Sequence, residues 1–115
     1  MSKAVTKVGN QYEVGRETLN LSVRVGMYIQ NNFEASDIFT LGNTTEDRFR
    51  ASVKLIEVKY SERKREILML EKEEIRFLEM LFNHANNFMD EVEEFANCID
   101  AIELLADELY QLLYG

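Results

Sequence analysis

The chain has 115 residues, 46% of them apolar and 30% charged, with no proline and a single cysteine; that balance excludes disorder, a collagen repeat and a disulfide scaffold, and describes one domain with one core. No apolar run approaches the roughly 20 residues of a membrane span, no signal-peptide pattern opens the chain, and Cys98 has no internal partner, so the expected setting is a reducing cytoplasm without membrane contact. The net charge of −8 is uneven: residues 1–30 carry +2, residues 31–80 carry −2, and residues 81–115 hold eight acids and no Lys or Arg, a field that repels nucleic-acid phosphate and anionic lipid and favours basic partners.

In chain order, Val5–Val8 and Tyr12–Val14 flank Gly9-Asn10, a hairpin-turn pattern. Leu19, Leu21, Val23, Val25, Met27 and Ile29 then alternate without a miss against Asn20, Ser22, Arg24, Gly26, Tyr28 and Gln30. Six hits at period two predict a half-buried strand over 19–30. The competing reading is a helix over 18–33 through Leu21, Val25, Ile29 and Phe33, which would make the molecule an all-α bundle and expose Leu19, Val23 and Met27. Ser36 to Gly42 reads as one helical turn closing a strand- and turn-rich segment, 1–42.

From residue 43 the period changes. Asn43 followed by Glu46 has the spacing of an N-cap with an acidic third residue, and Phe49, Val53, Ile56 and Tyr60 recur at intervals of four, three and four. The stripe resumes with Ile67, Leu70, Phe77 and Leu81, so a helix is predicted over 44–83. Such a rod would be about 60 Å long, against a radius of gyration of about 13 Å for a compact domain of this size; either the helix breaks inside the charged stretch near Ser61 or the molecule is elongated, and with no strong breaker there the expectation is the elongated form. Asn83 to Asn87 interrupts the pattern, and Asn87 with Asp90 has the spacing of a new cap. Phe88, Phe95, Ile102 and Leu109 in one heptad position, with Val92, Ile99, Ala106 and Leu113 in the other, form a coiled-coil-like seam that needs an antiparallel neighbour. The fold class is therefore mainly α with a small N-terminal β element, one domain of residues 1–115 in which 43–115 is a long helical hairpin.

Catalytic signals are lacking. His84 is the only histidine and reads as a loop or capping residue among asparagines, while Cys98 reads as a small apolar group on a heptad flank. Neither a zinc set nor a di-iron Glu-x-x-His pair is present, and no phosphate loop, serine triad or calcium loop appears, so no catalytic residue, metal ligand or cofactor is assigned. One enzymatic alternative is a Mg²⁺-dependent site, of the kind in helical nucleotide pyrophosphatases, built from Glu71-x-x-Glu74 and Glu91-x-x-Glu94; Glu74 interrupts the inner stripe of its helix, but the register sets Glu71 and Glu91 about two turns apart.

The function expected is that of a non-enzymatic interaction module, an adaptor or small acidic inhibitor. Asp90, Glu93, Glu94, Asp100, Glu103, Asp107 and Glu108 form its acidic face, directed at a basic site on a protein partner. Small viral inhibitors that imitate a phosphate array with acidic helices are an analogy of class. The plainer reading is merely a solvated helix surface; another, internal one has Arg63–Arg65 lying against Glu103–Glu108 in the hairpin. Leu104, Leu105, Tyr110, Leu112 and Tyr114 outgrow one seam. Either the N-terminal segment covers them, or they form the interface of a homodimer or larger assembly.

Overall fold

The computed structural model describes residues 5–32, 46–62, 67–87 and 91–115. Its elements run β1 (Val5–Val8), β2 (Gln11–Gly15), α1 (Arg16–Asn32), α2 (Glu46–Glu62), β3 (Ile67–Leu70), α3 (Lys72–Ala85), a 3₁₀ stretch (Glu93–Cys98) and α4 (Ile99–Tyr114). The mainly α class with a small β element is as expected, although three of the predicted elements take different forms. The expectations for Phe33, Ser36 to Gly42, Asn43, Arg63–Arg65, Phe88 and Asp90 lie outside the described residues.

The hairpin turn forms where Gly9-Asn10 predicts it. Val8 pairs with Gln11, and Gly9 takes φ 62°, a backbone region that a side chain makes costly. β1, β2 and β3 make an antiparallel sheet in that order. Val5 pairs with Val14, Val14 with Leu68 and Tyr12 with Leu70; all five side chains are buried, so one face of the sheet belongs to the core.

Residues 16–32 are a helix, which corrects the predicted strand over 19–30. Thr18, Leu21, Ser22, Val25, Gly26 and Ile29 are buried at helical spacing, and Leu19 is fully buried as well. The helix reading had counted Leu19, Val23 and Met27 as exposed. Instead α1 lies between α2 on one side and α3 and β2 on others, and Val23 and Met27 pack half-buried on the core. A helix covered on several sides is free to be apolar around most of its circumference, and alternation along the chain then carries no strand information.

The continuous helix over 44–83 is also corrected. α2 ends at Glu62, residues 67–70 are strand β3, and α3 begins at Lys72. Four apolar residues in a row fit a buried strand as well as a helix, and the open edge of β2 supplies the hydrogen bonds. Strand-to-helix reversal is sealed by a capping box: the Glu71 side chain accepts from the backbone of Glu74, and Glu74 Oε1 accepts from the Glu71 N–H at 2.9 Å. The break shortens the molecule to a radius of gyration of 13.3 Å and extents of 36 × 30 × 28 Å, which corrects the expected elongated shape.

α3 buries Ile75, Leu78, Leu81, Phe82 and Ala85, and closes with the Asn86 N–H donating to the Phe82 carbonyl at 3.0 Å. It packs most extensively against α4, whose Ile102, Leu105, Ala106 and Leu109 are buried. The predicted seam is therefore real from Phe95 onward, but its first part is the 3₁₀ stretch rather than one long α-helix starting at Asn87. Phe95 anchors that stretch: it is fully buried, edge-on to the Tyr28 ring at 5.6 Å, with the Arg24 guanidinium 5.4 Å from its centroid.

Candidate functional site

α4 carries its apolar and acidic residues on different sides because the two sets recur at helical intervals with different phases. Ile102, Leu105, Ala106 and Leu109 face the core, and Asp100, Glu103 and Asp107, spaced three and four apart, share an exposed side. Among the described residues no cation pairs with these three carboxylates. Glu93 and Glu94 are exposed on the 3₁₀ stretch, and Glu108 is half-buried on the opposite flank of α4.

An open groove of about 830 Å³ runs between α3 and α4, lined by Glu79, Asn83 and Asn86 on one wall and by Asp100, Glu103 and Asp107 on the other, with Leu104 and Tyr110 at its edge. Burial pushes the Glu79 carboxyl above the ordinary 4.5. The α3 wall was not assigned from the sequence, although Glu79, Asn83 and Asn86 recur four and three apart, which puts them on one side of α3.

A second groove, of about 920 Å³, lies on the other flank of α4 between it, α1 and β1. Leu104 and Asp107 line both grooves, so this edge of α4 separates them. The predicted apolar interface divides accordingly. Leu105 is 6% exposed and belongs to the core, and Leu112 is half-buried. Leu104, Tyr110 and Tyr114 are 70%, 51% and 58% exposed, the two tyrosine rings 5.2 Å apart. Packing of the N-terminal segment over this end, through β1, is thus realised in part.

Two carboxylates of the Mg²⁺ alternative, Glu71 and Glu74, have other partners. Glu74 interrupts the inner stripe of α3 because Lys59 reaches it from α2, its Nζ 2.7 Å from each carboxylate oxygen, while Glu71 Oε1 accepts from Gln11 Nε2 at 2.8 Å. Glu91 and Glu94 are exposed, and among the described residues no three His, Cys, Asp or Glu side chains are grouped to hold a metal ion. His84 lies in the last turn of α3 rather than in a loop, its carbonyl accepting from the Asn87 N–H at 3.0 Å. Cys98 is half-buried against the core, as a small apolar group would be.

No helix among the described residues is long and apolar enough to cross a membrane. No family model, curated protein or solved structure matches the chain.

Proposed function

We propose that the protein is a non-enzymatic binding module of the cytoplasm, an adaptor or inhibitor that engages a basic surface of a protein partner through the acidic flank of α4. The observation that carries this reading is the exposed row Asp100, Glu103 and Asp107 beside Leu104 and Tyr110. Carboxylates without a cation among the described residues attract a positively charged surface, and an exposed leucine and tyrosine beside them supply desolvating contact area. The test is a charge reversal at exposed positions. A protein captured by the wild type is purified, and its affinity is compared for wild type and Asp100→Lys/Glu103→Lys/Asp107→Lys. Loss of about tenfold or more is expected for a steered, charge-complementary interface; affinity within about twofold would overturn the assignment.

Leu104, Tyr110 and Tyr114 also favour a second reading, self-association through the same exposed side chains. A two-fold contact centred there brings the acidic rows of two copies together, so it must overcome like-charge repulsion.

A further inference from the structure

The groove between α1 and α4 differs in kind from the acidic one. Its floor is apolar, formed by Val5, Leu21, Leu105 and Leu112, with Leu104 and Ala101 along the α4 edge. Glu17 stands on the α1 side, and Asp107 and Glu108 on the α4 side. Arg24, the one cation lining it among the described residues, is engaged: its Nη2 donates to the Glu94 carbonyl at 3.4 Å, and its guanidinium lies over Phe95. We propose that this groove receives an amphipathic helix of a protein partner, with apolar residues at i, i+4 and i+7 pointing inward and Lys or Arg along both flanks.

The complementarity argues for that occupant. A trough between two helices accepts a third helix by seating its apolar stripe, and rim carboxylates on both walls match cationic flanks on either side of such a stripe. A second copy offering its own α4 would set acid against acid. An apolar small molecule would make no use of the rim carboxylates Glu17 and Asp107. The proposal shares with the reading above the basic character of the partner and the edge residues Leu104 and Asp107, whereas Glu17 and Ala101 line this groove alone and Asp100 and Glu103 line only the other.

The probe is a fluorescein-labelled peptide of about 18 residues, five helical turns, made of leucine and lysine with leucine at helical spacing. A control of identical composition alternates the two residues. Anisotropy titrations use the full chain as wild type, Ala101→Trp, which fills the groove from an exposed position, and Asp100→Lys/Glu103→Lys. The helical peptide should bind at least about tenfold tighter than the control, Ala101→Trp should weaken it about tenfold, and the double reversal should change it by less than about threefold. Amide shifts in the wild type should cluster over 17–24 and 101–112, which tests the groove even if Ala101→Trp misfolds. Equal binding of the two peptides, binding of neither, indifference to Ala101→Trp, or shifts confined to 79–86 and 100–103 would each overturn the groove. Pattern-blind binding that the double reversal abolishes would overturn the groove while leaving the acidic flank standing. A captured partner that ignores Asp100→Lys/Glu103→Lys yet is released by Ala101→Trp would overturn the flank and support the groove.

Discussion

Gly26 sits in the middle of α1 at a position where a Cβ would lie 2.8 Å from Val53 Cγ2 and 3.3 Å from Cγ1. Val53 is buried and β-branched, so it has little rotamer freedom to yield. Gly26→Ala should therefore destabilise by about 1–2 kcal/mol, because overpacking outweighs the roughly 1 kcal/mol that alanine gains in helix propensity. In a Val53→Ala background the same change should become neutral or stabilising, read by urea unfolding of all four variants. At Glu74, substitution to alanine removes the capping acceptor and leaves Lys59 without its partner, for an expected cost of about 1–2 kcal/mol; Glu74→Gln, which keeps an acceptor oxygen, should cost less. Burial raises the carboxyl of Glu79 from 4.5, so the folded state holds its proton at higher pH than the unfolded chain. That group favours the native state below its unfolded value and loses the advantage as pH rises through the folded one. Glu79→Gln should accordingly be more stable than wild type at neutral pH and equal to it below about pH 4. None of these three roles is written in residue type alone: Gly26 reads as one outward-facing position of an alternating strand, and Glu74 as an anomaly in an apolar stripe, until Val53 and Lys59 are brought to them by the fold.

At the scale of elements, what was legible followed from patterns with a single interpretation. Gly9-Asn10 between apolar runs specifies a hairpin, and Phe49, Val53 and Ile56 specify one buried helix stripe. Phe95, Ile102 and Leu109 likewise mark the α4 seam, all fully buried. The failures share one cause, tertiary coverage. α1 is wrapped by several neighbours, so its alternation meant burial rather than strand, and Ile67–Leu70 became a strand because β2 had an open edge. Within the candidate site, the acidic side of α4 was legible from its three- and four-residue spacing. The α3 wall was not, since asparagines at a helix end read as loop. Phe95 bears the weight of an irregular stretch with few other buried side chains. Phe95→Ala should cost about 3–5 kcal/mol, measured by denaturant unfolding, with the greatest loss of amide-exchange protection over 93–98.

Across the whole molecule, charge separates the two uses of the α4 face. Self-association through Leu104, Tyr110 and Tyr114 brings like charges together, so it should strengthen as salt screens them; engagement of a basic partner should weaken. Sedimentation of the protein alone between about 50 and 500 mM salt tests the first: a monomer at every concentration and salt removes the assembly reading. The most direct test of the acidic flank is the affinity for a captured, purified partner across the same salt range. A steep fall with rising salt is predicted, carried mainly by the association rate, and an affinity that stays level or rises would contradict it.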